Sequence, residues 1–295
     1  MTNAVIKNSN NIHPSAIIGP DVRLGSGITI GPFSILDGNI SIGDGTKIAS
    51  NCSLNGHVEI GENNVIKENC VISGTIRIGK NNHIGSGSNF KNSIVIGDSN
   101  TFTGLISIGT AGEMGTKGDR FIEDGCVFIG NKNVFREFIS INSPVRRQKT
   151  SIGDNCYFMS RTYVPHDAII ENNVTMATNS LIGGGVHVCQ NAYLGFGSVT
   201  HQWLVIGESA MLGMNAAIKK NIPPFCTVVG IPAKILKFNK SGAQRQNHTE
   251  KNIEEVETYF ATILDGSYVN TENPIAVSIL NFLKNNPDSL TISFK

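Results

Sequence analysis

Apolar residues recur at every sixth position along most of this 295-residue chain. From Ile18 through Leu24, Ile30 and Leu36 to Ile108, sixteen successive sixth positions are all apolar. The series resumes at Ile129, Phe135 and Ile141, then runs from Ile152 to Ile218, where Thr200 alone departs from it. A period of six fits neither an isolated helix nor an isolated strand. Fixed-period self-similarity marks a repeat architecture, and the hexapeptide repeat predicts an all-β chain wound into a parallel β-helix. Glycine follows many of the inward positions, where tight corners favour it. The 31 hexads predict about ten coils.

Two interruptions break the period. The polar, Gly-rich segment 110–125 reads as a loop leaving the coil, and 142–151 as a second loop with a basic cluster, Arg146, Arg147 and Lys149. Long loops on a rigid repeat tend to carry function. The prolines of 221–234 read as a closure that cannot continue a ladder. Residues 238–248 read as a polar linker. Two amphipathic helices are predicted beyond it. One has Thr249 as N-cap and Ile253, Val256, Phe260, Ile263 and Leu264 on one face. The other starts at Asn273 and Pro274 and runs to about Asn285. The predicted organisation is a repeat domain over 1–237 and a small helical segment over 238–295.

Composition narrows the function classes. A formal net charge of +1 gives no argument for nucleic acid or an anionic membrane. No run is long and apolar enough for a transmembrane helix, and the first residues lack a signal-peptide core. The six cysteines are scattered without CxxC pairs. Cys52, Cys70 and Cys156 fall four places after an inward residue and read as small buried hydrophobes in a reducing cytoplasm.

If three hexads close one coil, side chains three hexads apart stack. His166, Gly184 and Gln202 then form one column at the surface near a corner, about 4.8 Å apart per step. An imidazole, a bare backbone and an amide in line suit a general base, an oxyanion donor and a substrate ligand.

Around His166 the sequence resembles the acyl-ACP:UDP-N-acetylglucosamine O-acyltransferases that begin lipid A synthesis. The matching text is VPHDAIIENNV (164–174), GGGV (183–186), GFGSVTHQ (195–202) and NIPPF (221–225). The resemblance implies a left-handed β-helix, a C-terminal helical domain, and a homotrimer with active sites between subunits. It implies His166 as general base, Asp167 as its partner and the Gly184 N–H as oxyanion donor, with His201 and Gln202 around the nucleotide and acyl chain. The roles agree with the chemistry of imidazole, carboxylate and backbone amide.

The sequence departs from the family in places. Tyr163 and Gly185 stand where the family has histidine. Glu113 and Lys117, with Asp119, replace its Asp-x-Lys nucleotide motif, and SGAQRQ replaces a double-arginine segment. Met214 stands where long-chain enzymes keep glycine, which implies a shorter acyl chain. GIPAK (230–234) is similar to the ending of coenzyme A-dependent hexapeptide acetyltransferases. The carrier, acyl carrier protein or coenzyme A, is expected at Arg146, Arg147 and Lys149, or else at Lys219, Lys220 and Lys234.

These readings predict a cytoplasmic acyltransferase. Its acceptor is a nucleotide-linked amino sugar, and it uses no cofactor beyond the acyl thioester and no metal. The alternatives are an acyl-CoA-dependent N-acyltransferase of surface polysaccharide synthesis, a zinc-dependent carbonic-anhydrase-like β-helix, and a non-catalytic scaffold. The zinc enzyme needs three facing histidines, whereas His166, His187 and His201 share no column.

Overall fold

The computed structural model describes residues 10–113, 122, 124–268 and 272–290. Every member of the three apolar series except Ile18 is buried, Thr200 included. Inward side chains at each sixth position, with corners between them, make the parallel β-helix. The chain divides into two compact units, 1–167 and 168–295.

In the first unit, eight short strands stack in parallel along one face: Asn11–Ile12, Thr29–Ile30, Lys47–Ile48, Val65–Ile66, His83–Ile84, Thr101–Phe102, Val134–Phe135 and Tyr157–Phe158. Partners stand three hexads apart, as in His83 with Thr101. The interruptions show as longer register steps. Ile96 pairs with Ile129 across the first loop, and Ile129 with Ile152 across the second, after which the three-hexad pitch returns. Other strands are longer than hexads suggest. Ile35–Ile42, Ser53–Ile60, Val71–Ile78 and Asn89–Ile96 each run through a corner.

The interior of this unit is laddered. Phe102, Phe135 and Phe158 stack ring on ring at 4.8 Å, nearly parallel. Beside them runs a buried asparagine ladder. Asn64 Oδ1 accepts from Asn82 N, Asn82 Oδ1 from Asn100 N, and Asn100 Oδ1 from Asn133 N, at 2.8–2.9 Å. Each amide group thereby satisfies the backbone of the next rung, so a polar interior column carries little penalty.

The second unit stacks Thr175–Met176, Tyr193–Leu194, Met211–Leu212 and Cys226–Val229 in parallel. Among the described residues the two units hold twelve such strands, against about ten coils predicted. The extra ones, Asn11–Ile12 and Cys226–Val229, lie outside the counted hexads. The proline-rich closure thus does continue the ladder: Cys226–Val229 pairs with the coil and, antiparallel, with Lys234–Phe238.

Three helices follow among the described residues. Helix α1 (Lys240–Arg245) occupies the segment expected to be a linker. Asn239 caps it and donates to Ser209 O at 2.8 Å, which fixes a helix too short to hold itself. Helices α2 (Glu250–Leu264) and α3 (Pro274–Asn285) have the expected caps, Thr249 and Asn273, and α2 buries the expected face. No helix among the described residues is long and apolar enough to cross a membrane.

Candidate active site

His166 and Asp167 follow the strand Tyr163–Val164 at the end of the first unit. The hexad spacing predicts His166 at the surface near a corner. It is in fact only 9% exposed, and Asp167 is fully buried. The cover comes from the first interruption. A Cβ on Gly112 would lie 2.9 Å from His166 Cβ and 2.3 Å from Val145, so this loop meets the histidine through a bare backbone.

Asp167 has φ of 64°, a left-handed conformation that aspartate tolerates better than most residues. Its Oδ2 lies 2.7 Å from His166 Nδ1. Its Oδ1 accepts the backbone N–H groups of Val145, Arg146 and Arg147 at 3.0, 2.9 and 2.7 Å. Its own N–H donates to Thr150 Oγ1 at 2.9 Å. Burial by itself raises the Asp167 carboxyl. The hydrogen bonds from Arg147, His166, Arg146 and Val145 outweigh it, and the group ends below the ordinary carboxylate range. An ionised Asp167 can only accept, so Nδ1 of His166 carries the proton and Nε2 is left as the basic nitrogen.

The second interruption is therefore a clamp rather than a free loop. The Arg147 guanidinium donates to Asp167 O at 2.6 Å, while its backbone N–H holds the same residue's carboxylate. Arg147, expected with its neighbours to meet the carrier, is half-buried and its guanidinium is bonded to Asp167. Arg146 and Lys149 are exposed, and the Lys149 ammonium sits 5.4 Å from the centre of the Phe128 ring.

Tyr163 donates to Asn142 Oδ1 at 2.5 Å, and Asn142 donates to Thr110 Oγ1 at 2.9 Å. Burial first, then the neighbouring Glu113 carboxylate, pushes the Tyr163 phenol well above its ordinary range. Tyr163 is thus a hydrogen-bonding group and not a second base. Glu113 is exposed beside it. Lys117 and Asp119 lie outside the described residues.

The second unit carries the remaining expected residues. A Cβ on Gly183 would lie 2.5 Å from Gln202 N, and Gly184 O accepts from Trp203 N at 2.9 Å. Residues 183–185 and 201–203 therefore face each other backbone to backbone. His201 and Gln202 are exposed. Gly185 lies under the Trp203 ring. Met214 is 72% exposed at a corner. Lys219, Lys220 and Lys234 are exposed, and Lys220 pairs with Asp288 at 3.3 Å.

Sequence reasoning missed Gly112, Asn142, Thr150 and Trp203. For Trp203 a signal existed: it stands three hexads after Gly185, one rung away. The others act through loop contacts that no residue type announces.

The model of the bacterial transferase hexapeptide (six repeats) matches residues 39–74 and 149–184. The acyl-[acyl-carrier-protein]–UDP-N-acetylglucosamine O-acyltransferase of Pseudomonas savastanoi pv. phaseolicola is 33% identical over 143 residues, 48% of this chain and 55% of that protein. The protein of that name from Albidiferax ferrireducens is 31% identical over 164 residues, 55% of this chain and 61% of its own. The chain spans about half the length of the curated relatives it matches. Among solved structures, LpxA from Acinetobacter baumannii superposes with a TM-score of 0.65 at 23% identity, over 95% of this chain and 99% of that one. Arabidopsis UDP-N-acetylglucosamine acyltransferase gives 0.64 at 21%, over 98% and 100%.

Fold and repeats define a left-handed parallel β-helix of the hexapeptide-repeat class with a small C-terminal helical segment. Within that class the chain is similar in sequence to the acyl-ACP–UDP-N-acetylglucosamine O-acyltransferases, the family its motifs resemble.

Proposed function

We propose that this chain is an acyltransferase. It moves an acyl group from acyl carrier protein to the 3-hydroxyl of UDP-N-acetylglucosamine or a related nucleotide-linked amino sugar. It would work in the cytoplasm as a homotrimer, in lipid A or surface-glycan synthesis. The observation that carries the reading is the His166–Asp167 pair, with the carboxylate bound by three backbone amides and the imidazole. A buried carboxylate so held both anchors the 145–147 loop and can fix the tautomer of the histidine beside it and stabilise the imidazolium.

In the proposed step, His166 Nε2 takes the proton from the acceptor hydroxyl as its oxygen attacks the thioester carbonyl. The Gly184 N–H stabilises the oxyanion. Collapse breaks the carbon–sulfur bond, and the imidazolium returns the proton to the departing carrier thiolate. The products are a sugar ester and a free thiol. Gln202 and His201 bind the acceptor, and Tyr163 and Glu113 border it. The motifs that resemble the relatives named for this reaction supply His166, Asp167, Gly184, His201 and Gln202. No metal enters the scheme.

Thiol release should be assayed with acyl-ACP and with acyl-CoA, each with UDP-N-acetylglucosamine and with an amino-sugar nucleotide, followed by mass spectrometry of the sugar. A base-labile ester from acyl-ACP and UDP-N-acetylglucosamine is expected. A base-stable amide formed only on an amino sugar would replace O-transfer by N-transfer. No acceptor-dependent thiol release in any arm would overturn the acyltransferase reading.

A further inference from the structure

Outside the proposed site, three side chains of different chemistry converge on two successive rungs of the second unit. Glu171 and Cys189 are three hexads apart and so stand one above the other, while His187 and Cys189 flank the buried Val188. The rungs are fixed by the pairing of His187 with Ile169 and with Val205. Glu171 Oε1 lies 2.7 Å from His187 Nε2, and Glu171 Oε2 accepts the Gln190 N–H at 2.9 Å. One ligand atom from each of Glu171, His187 and Cys189 lies within 4.8 Å of the other two, and all three residues are half-buried.

We propose that Glu171, His187 and Cys189 form a binding site for a divalent cation of the zinc class. An imidazole nitrogen, a thiolate and a carboxylate are the donors zinc takes, whereas magnesium and calcium prefer oxygen alone. Around a tetrahedral zinc, with bonds of about 2.0–2.3 Å, donors stand roughly 3.5 Å apart. The Glu171–His187 hydrogen bond must open by about 1 Å, and the Cys189 sulfur, within 4.8 Å of both partners, needs to approach by no more than about 1.3 Å. Side-chain rotation on fixed rungs supplies both shifts.

The surroundings favour a cation. Glu208, on the following rung, accepts from Gln190 Nε2 at 3.1 Å. Glu171 and Glu208 both hydrogen-bond Gln190, the neighbour of Cys189 in the chain, so two carboxylates stand close to the cluster and favour a doubly charged ion. The ion would tie two rungs together, so binding would appear as added stability. None of these residues has a role in the proposed acyl transfer, so the two readings stand or fall separately.

The test uses the full chain, stripped with a chelator and titrated with cobalt(II), then zinc. One cobalt per chain is expected, with a near-ultraviolet thiolate-to-cobalt charge-transfer band that zinc abolishes. Zinc should also raise the melting temperature. Cys189→Ser should remove the band. His187→Gln and Glu171→Gln should each weaken cobalt binding about tenfold or more with the fold intact by circular dichroism. The proposal is overturned if no thiolate band forms, if the band survives in Cys189→Ser, or if His187→Gln binds as tightly as the parent.

Discussion

The indole ring of Trp203 lies across the bare α-carbon of Gly185: a Cβ there would stand 2.3 Å from Cε3 and 2.5 Å from Cζ3. Both residues have positive φ, 71° and 61°. For a tryptophan that conformation costs about 1–2 kcal/mol, which the packing must offset. Histidine at 185 and this position of the ring exclude each other.

Gly185→Ala should push the ring off its seat. The chain has a single tryptophan, so its fluorescence reports on this contact alone. The indole is already 38% exposed, so the emission should move modestly further to the red as it leaves the Gly185 backbone, and stability should fall by about 1–3 kcal/mol. Unchanged emission would mean that the ring sits elsewhere.

Asp167 separates charge from shape. Asp167→Ala leaves the amides of Val145, Arg146 and Arg147 without their acceptor and should cost several times the roughly 1–3 kcal/mol of one lost buried acceptor. Asp167→Asn keeps an oxygen for those amides but turns an NH2 toward Nδ1, which puts the proton on Nε2. It should stay folded and lose about 10²–10⁴ in kcat. The pH dependence follows from the lowered carboxyl. Its stabilisation is fully present above about pH 4, the unfolded value, and is lost as pH falls through the folded value below that. Acid unfolding of the parent should steepen below about pH 4, and Asp167→Asn should flatten that limb.

The asparagine ladder predicts a stability effect far from any chemistry. Asn100 donates to Asn82 Oδ1 and Gly130 O and accepts from Asn133 N. Asn100→Ala removes all three bonds inside a dry coil and should destabilise the chain by about 2–4 kcal/mol in denaturant melts. A loss below about 0.5 kcal/mol would show that water replaces the ladder.

Inward apolar positions reveal the coil in the sequence because one spacing, repeated without slippage, has one structural solution. His166 and Asp167 were legible because the base and its carboxylate are adjacent. Their burial was not. It comes from Gly112 and the amides of 145–147, and backbone groups are the same whatever the side chains. Asn64, Asn82, Asn100 and Asn133 occupy inward positions that a hydropathy pattern passes over. The coil satisfies their amides along its axis, so polarity there does not mean exposure. Helix α1 was missed because so short a segment with Gly242 inside has little propensity, and Ser209 and Asn239 hold it.

Met214 bears on donor length. Its side chain is exposed at a corner, one rung from the exposed Phe196. If it limits the acyl chain, Met214→Gly should shift preference to longer donors by only a few-fold per methylene, since each buried CH2 is worth about 0.8 kcal/mol. Competition between acyl-ACPs of two lengths reads this directly, and an unchanged ratio removes Met214 from the acyl path.

The basic loop 142–151 divides into two roles. Arg147 holds Asp167 from both ends, by its backbone N–H and its guanidinium. Arg146 and Lys149 face solvent. A positioning residue acts on the chemical step, whereas exposed charges act on encounter with an anionic carrier and are screened by salt. Arg147→Ala should therefore lower kcat and leave KM for acyl-ACP nearly unchanged. Arg147→Lys should recover little, because one ammonium cannot reproduce a planar guanidinium fixed on a carbonyl. Arg146→Ala and Lys149→Ala should raise KM for acyl-ACP about two- to fivefold at low salt and converge on the parent at high salt, with kcat unchanged. Steady-state kinetics across a salt series separates the patterns. If Arg147→Ala instead follows the salt-dependent KM pattern, its guanidinium serves the carrier and the clamp on Asp167 rests on the backbone amides alone.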